Sequence, residues 1–250
     1  MNGSVINFSG VVKRYGRQAV LAGVDLSVAE GEYFGLVGVN GAGKTTLIKC
    51  LLDFTRADRG SIEIYSTNST MDRARERLTY LPERFMAPYY LTGREFLEYM
   101  ARLYKTPFDR DKFHETAKLL DLELAAMDQE ARKFSKGMSQ KLGLAACLMS
   151  GRDLMVMDEP MSGLDPRARV FLKRHLLELK QLGKTLFFST HLLTDVEALC
   201  DKVAILHEGR VRFVGSPAEC CRDYDTSDFE QAYLQCVGEL LLKIPSVNCE

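Results

Sequence analysis

The residues best suited to chemistry are contiguous: Gly38-Val39-Asn40-Gly41-Ala42-Gly43-Lys44-Thr45-Thr46. They fit the phosphate-binding pattern G-x-x-x-x-G-K-[ST] without a gap. Gly38, Gly41 and Gly43 lack a Cβ, so the backbone can curl tightly and aim its N–H groups inward. Lys44 supplies a point charge for β- and γ-phosphates, and Thr45 a hydroxyl for Mg²⁺. Such a loop also needs a carboxylate for its metal ion. Asp158 stands at the end of the apolar run Leu154-Met155-Val156-Met157, where that carboxylate belongs. Glu159 follows it and can accept a proton from a water attacking a γ-phosphate. Apolar residues leading straight into two adjacent carboxylates are poorly explained as a merely polar strand end. Ser135-Lys136-Gly137-Met138-Ser139-Gln140-Lys141 opens a helix that Ser135 can cap, with Gly137 leaving room for an oxyanion at the helix start. Helix starts of that kind are common, and this one gains weight from its place between the glycine loop and Asp158. Ser162-Gly163-Leu164-Asp165 and Ser189-Thr190-His191 complete the set. A lone histidine at a strand end is more often structural than catalytic.

The elements around these residues have the periods such chemistry requires. Tyr33-Phe34-Gly35-Leu36-Val37 reads as a strand, and Leu47, Ile48, Leu51 and Leu52 recur at helical spacing, so the glycine loop lies between strand and helix. The positive end of that helix adds to the field of the loop. Residues 4–29 read as two strands around a break at Gly16-Arg17-Gln18, with Tyr15 just before it. Ser61 to Tyr65 reads as a strand, Ser66 to Thr70 as a polar loop and Met71 to Arg77 as a short charged helix. Leu78 to Leu81 is a strand stopped by Pro82. From Glu83 to about Gly151 only helical stripes occur. Phe96, Leu97, Met100, Leu103 and Tyr104 mark the first, Phe113, Ala117, Leu120 and Leu124 the second, and Leu142 to Leu148 the third. Alternation of strand and helix then resumes. Leu154 to Met157 is a strand buried on both faces, and Ala168 to Leu182 a helix closed by Gly183. Thr185 to Ser189 is a strand, Leu192 to Leu199 a short helix, and Val203 to Val214 a hairpin about Glu208-Gly209-Arg210. In the tail, Ser227 and Glu230 suggest a capping box for a helix lined by Phe229, Tyr233 and Val237 and ended by Pro245.

Composition excludes several classes of function. With 250 residues the chain suits one large α/β domain or two small ones. A net charge of −1 gives no bulk field for nucleic acid or anionic membrane, so no nucleic-acid partner is expected. No basic stretch followed by an apolar run opens the sequence, and no apolar segment approaches the ~20 residues that span a bilayer. A soluble protein that stays where it was made is expected. The seven cysteines are scattered and form no C-x-x-C, which fits reduced thiols in a cytosolic protein. The pair Cys220-Cys221 has no matching His or Cys spacing for a metal.

The order of these motifs resembles the nucleotide-binding domain of ATP-binding cassette (ABC) transporters over about residues 5–217. The resemblance implies an α/β fold with a P-loop NTPase core, mostly a parallel sheet with helices. An antiparallel β subdomain and an inserted α-helical subdomain are added to it. One nucleotide-binding domain fills residues 1–250, with core and β subdomain at about 1–82 and 152–217, helical subdomain at about 83–151 and a helical tail at about 218–250. ATP and Mg²⁺ are the implied cofactors. Tyr15 would stack on adenine, and Gly38 to Thr46 would be the Walker A loop, with Asn40, Ala42 and Thr46 inside it. Glu83 would sit at the Q-loop position, able to hold Mg²⁺ or position water. Ser135, Gly137 and Met138 belong to the signature, and Asp158 and Glu159 would be metal carboxylate and catalytic base. Asp165 would be the D-loop acid, and His191 the switch histidine at the γ-phosphate. Two departures stand out. Glu83 replaces the usual Gln, and Phe134-Ser135-Lys136-Gly137-Met138 replaces Leu-Ser-Gly-Gly-Gln. Both look like the ATPases of ABC-2-type exporters, as does the ending Asp228 to Tyr233.

The family resemblance further implies two subunits, a second copy of this chain or a paralogue, sandwiching ATP head to tail. It implies membrane-spanning permease partners, and a cytoplasmic location peripheral to the inner face of the cell membrane. A soluble ABC ATPase that assembles or remodels a protein complex is the alternative. Glu83, Lys136 and the tail favour the exporter, and one glycine loop excludes the two-cassette members. Nothing in the sequence points to a cargo.

Overall fold

Hydrophobic alternation with a period of two organises the first third of the chain. In the computed structural model, which describes residues 3–238, β1 (Ser4–Tyr15) and β2 (Gln18–Ala29) form an antiparallel hairpin. Next come β3 (Tyr33–Val37), α1 (Lys44–Leu51), β4 (Arg59–Ile64), β5 (Thr67–Asn68) and β6 (Leu78–Leu81). Three helices follow, α2 (Gly93–Leu103), α3 (Arg110–Leu119) and α4 (Lys136–Met149). The chain then alternates through β7 (Leu154–Asp158), α5 (Pro166–Gln181), β8 (Thr185–Thr190), α6 (Leu193–Leu199), β9 (Lys202–His207) and β10 (Arg210–Gly215). It closes with α7 (Pro217–Asp223) and α8 (Phe229–Cys236).

The strands make two sheets. An antiparallel sheet has the order β2-β1-β4-β5, and a six-stranded sheet the order β10-β9-β3-β8-β7-β6. Within the second, β9, β3, β8, β7 and β6 run parallel and only β10 is antiparallel. Every residue of β3, β7 and β8 is buried, as the continuous apolar runs predict for strands covered on both faces. The two faces carry different cores. Phe34, Leu36, Val156, Phe187 and Leu206 pack against the antiparallel sheet and α1. Leu186, Phe188, Met155 and Met157 pack against α2, α3, α4 and α5, while Val37, Val203 and Ile205 meet α6 and α8.

Several local expectations are corrected. The polar loop after β4 contains the short strand β5, paired with Glu63 and Ile64. The charged helix at Met71 to Arg77 is a single 3-10 turn, Asp72–Arg75. Leu124 lies beyond α3, and Leu103, Leu124 and Leu182, read as buried-stripe residues, are exposed. Among the described residues no second surface covers them, which a periodic pattern cannot reveal. The capping box expected at Ser227 and Glu230 does not form. Asp228 caps α8 by accepting the Glu230 N–H at 2.9 Å, since its carboxylate reaches the first turn directly. A capping box forms earlier, where Ser216 and Glu219 bond reciprocally at the start of α7, a short helix the apolar pattern does not mark. Pro245 and Cys249 lie outside the described residues.

Phe187 joins the two sheets. Its ring lies 6.2 Å from that of Phe8 on β1 and 6.1 Å from that of Phe34 on β3, and all three are fully buried. Phe187→Ala should therefore cost about 3–5 kcal/mol of stability. Urea unfolding should show a lower midpoint at unchanged slope; an unchanged midpoint would mean that the sheets do not depend on this contact.

Candidate functional site

The parallel order of β3, β8 and β7 brings three strand ends to one edge. The glycine loop follows Val37 on β3, whose neighbour on β8 is Thr190, and Ser189 on β8 pairs with Asp158 on β7. A cleft of about 550 Å³ opens there. It is lined by Tyr15, Asn40, Gly41, Gly43, Lys44, Thr45, Thr46, Glu83, Glu159 and His191.

Backbone conformation explains the loop's glycines at two positions. Gly43 precedes α1 with φ 110°, and a Cβ there would stand 2.8 Å from the Val20 carbonyl oxygen. A Cβ on Gly38 would collide with the Leu206 carbonyl oxygen. Ala42, beside them, is buried. The Lys44 ammonium is held inside the loop, donating to Gly38 O at 2.6 Å and Val39 O at 3.4 Å, and its Nζ lies 3.8 Å from Glu159 Oε1. Burial lowers its pKa, and the charges of Glu159, Asp158 and Glu83 oppose that shift.

The carboxylates are positioned from the neighbouring strand. The Ser189 hydroxyl donates to Asp158 Oδ1. The Glu159 N–H donates to both the carbonyl oxygen of Ser189, at 3.2 Å, and its Oγ, at 3.1 Å. These bonds hold Glu159 at φ 51°, a left-handed conformation that a residue with a Cβ rarely adopts and that stores strain at functional sites. Glu159 Oε2 lies 2.8 Å from His191 Nδ1; with the carboxylate ionised, Nδ1 is the donor. Asp158 Oδ2 is buried with no hydrogen-bond partner. A buried carboxylate oxygen of this kind fits a cation ligand. Among the described residues no group of three His, Cys, Asp or Glu could hold a metal. A cation here would therefore take Asp158 and the Thr45 hydroxyl and complete its oxygens from phosphates and water, the usual habit of Mg²⁺.

Ser135, Gly137, Met138 and Asp165 do not line this cleft. Ser135 caps α4, accepting the Met138 N–H at 3.2 Å. A Cβ on Gly137 would lie 3.2 Å from the Gly163 carbonyl oxygen, so this helix start packs on the turn ahead of Asp165. Asp165 Oδ1 caps α5, accepting the Ala168 N–H at 2.9 Å, and Oδ2 pairs with Lys141 of α4 at 2.8 Å. Lys141 and that N–H pull its carboxyl down to about 2. Sequence reading gave no role to Gln18 and Val20 in the cleft wall, and noted Ser162 and Ser189 only as members of their motifs, without the cleft position of the one or the place of the other beneath the carboxylates.

The sequence profile described as "ABC transporter" matches residues 21–162. The chain belongs to this family. It is 41% identical over 209 residues to an uncharacterised ABC transporter ATP-binding protein of Nostoc sp., covering 82% of this chain and 62% of that relative. It is 35% identical over 221 residues to Nod factor export ATP-binding protein I of Ralstonia nicotianae, covering 86% of this chain and 68% of that one. A solved ATP binding subunit of an ABC transporter superposes with a TM-score of 0.84 at 29% identity, covering 93% of this chain and 99% of its own. The architecture of this chain is that of an ABC cassette, with the P-loop NTPase core, antiparallel sheet and inserted helices expected of it.

Because Lys44 is the cation inside the loop, Lys44→Ala should weaken Mg-ATP binding at least about tenfold, the scale of one lost charge-assisted hydrogen bond. Equilibrium binding of a fluorescent ATP analogue reads this directly. An unchanged Kd would remove the phosphate-loop assignment.

Proposed function

We propose that this chain is the ATP-binding and ATP-hydrolysing subunit of an ABC exporter, coupled to a membrane-spanning partner. The observation that carries the reading is the position of Glu159, held between Lys44 and His191 at the mouth of the glycine loop. Tyr15, exposed at the cleft with Gln18 and Val20, offers a π-face to an adenine base. The loop amides and the start of α1 face the phosphates. Lys44, drawn onto the β- and γ-phosphates, leaves Glu159 Oε1 facing water. Thr45 and Asp158, with Glu83 in the cleft wall, would hold Mg²⁺, which would supply charge neutralisation for the phosphates. Glu159 then takes the proton of the attacking water. His191 Nδ1 keeps the Glu159 carboxylate oriented and stands beside the reacting phosphate. Catalysis of this kind is mostly positioning and electrostatics.

Two copies complete the machine in this reading. Ser135, Gly137 and Met138 lie on an exposed helix start away from the chain's own cleft, where they can reach the ATP of a second copy. Asp165 ties that helix start to the turn beside Glu159's strand through Lys141. Among the described residues no helix is long and apolar enough to cross a membrane. A permease subunit would do the spanning, with this chain peripheral on the cytoplasmic face. The likeness to the Nod factor export relative and the exporter-like Glu83 and Lys136 support export over complex assembly.

Glu159→Gln keeps size and hydrogen bonding but not the ability to take a proton. Turnover should fall by about 10²–10⁴-fold with Mg-ATP affinity retained. Steady-state phosphate release alongside nucleotide binding separates the two effects, and normal turnover would place the base elsewhere, first at Glu83.

Gly137→Asp sets a negative charge at the signature. ATPase activity should fall to the level of Lys44→Ala while each protein retains its intact half. Circular dichroism guards against misfolding at the Gly163 contact. Normal turnover in this variant would sink the shared-site dimer.

A further inference from the structure

The β1–β2 hairpin has two working faces. Tyr15, Gln18 and Val20 line the cleft already described. Their neighbours Arg14 and Ala19 line a separate cleft of about 470 Å³, together with Ala22, Asp58, Arg59 and Arg210. Arg14 comes from β1 and Arg59 from β4, both in the antiparallel sheet, whereas Arg210 opens β10 of the core sheet. The cleft therefore sits at the junction of the two sheets.

Its charge is unusual. Among the described residues, the guanidinium groups of Arg14, Arg59 and Arg210 make no hydrogen bond and no ion pair. The one carboxylate on the rim is already engaged. Asp58 Oδ2 accepts the backbone N–H of Arg14 at 2.6 Å, and Oδ1 accepts from Lys13 Nζ at 3.2 Å. With Asp58 paired to Lys13, three guanidinium charges are left around a hollow that Ala19 and Ala22 also line. Like charges gathered without counter-charges repel one another. An anion resolves that repulsion, and the planar guanidinium fork matches phosphate oxygens two at a time. The volume admits a diphosphate or a phosphorylated headgroup.

We propose that Arg14, Arg59 and Arg210 form a second anion site, for a phosphate-bearing ligand carrying at least two negative charges. A ligand bridging Arg210 to Arg14 and Arg59 clamps the two sheets together on the back of the hairpin that presents Tyr15. The site does not depend on the ATPase reading, because none of its residues belongs to the glycine-loop cleft.

Calorimetric titration of inorganic pyrophosphate into the full chain tests it, with and without saturating Mg-AMP-PNP. Nucleotide removes any binding at the glycine loop, and one pyrophosphate should still bind in its presence, with affinity falling steeply as salt rises. Arg59→Gln and Arg210→Gln should each weaken that binding by about tenfold or more, the value of one lost charge-assisted contact. ATPase activity should be unchanged in both, which reports an intact fold. Vesicles of phosphatidylcholine with and without phosphatidic acid distinguish the source. Retention on phosphatidic acid vesicles, lost in Arg59→Gln, assigns the site to a lipid headgroup. Pyrophosphate binding without vesicle retention assigns it to a soluble phosphate ester. Binding of neither probe, or equal binding by wild type and both variants, overturns the proposal.

Discussion

Parallel pairing of β3, β8 and β7 is the constraint on which the site depends. Adjacent strands lie about 4.8 Å apart, so three parallel neighbours end side by side within a few strand widths. That geometry sets Lys44 against Glu159, places the Ser189 hydroxyl under Asp158 and brings His191 to the same mouth. Reversing any one of these strands would send its terminal residues to the opposite edge of the sheet. A buried ammonium would then lack counter-charge, which low-dielectric surroundings penalise heavily. The cores on both faces exist to hold that edge. Tyr33, Phe34, Leu36 and Val37 of one strand alternately anchor it to the helices on one side and the antiparallel sheet on the other.

What could be read from sequence was local. The glycine loop is contiguous, its flanking periods are distinct, and Asp158-Glu159 ends an unmistakable apolar run, so loop, carboxylates and the strand–helix alternation were all legible. The placement of β8 between β3 and β7 was not. It depends on pairings between distant residues, and with it went the role of Ser189, whose partner Asp158 lies 31 residues away. The left-handed conformation of Glu159 was equally hidden, since it is imposed by bonds from β8 and not by any preference of Glu. The tail shows a different limit. Ser227 and Asp228 are both competent caps at adjacent positions, and a small difference in reach selected Asp228. Leu103 and Leu182 carry the right period and the wrong exposure, because period specifies a face and not what covers it.

The start of α4 was legible as a motif and illegible as a packing unit. Its helix is not free to turn about its cap. Lys141, one turn beyond Gly137, is buried and pairs with Asp165, while the Gly137 backbone rests against Gly163. The start of α4 and the start of α5 are thereby fixed to each other, and α5 leads through Gly183 into β8. The start of α4 is thus connected, through α5, to the strand that carries Ser189 and ends just before His191. The connection passes through contacts made by one chain, independently of whatever lies across the helix start.

The two-faced hairpin has a consequence for how such a chain can diverge. Side chains alternate across a strand, so parity decides which face a residue serves. At the tip of the hairpin Arg14 and its partner Ala19 serve one face and Tyr15 and its partner Gln18 the other, and the register shift at Lys13/Arg14 returns Ala22 to the arginine face. Point substitutions at either rim alter one face alone. Insertion or deletion of a single residue in β1 ahead of Arg14 exchanges the faces, turning an arginine toward the glycine-loop cleft and a tyrosine away, unless a bulge absorbs it. The existing register shifts at Ser4/Ile6, Phe8/Val11, Val11/Val12 and Lys13/Arg14 are places where such an irregularity already sits. Length changes in this hairpin should therefore accumulate in pairs, or at those steps, in the lineages that keep both faces.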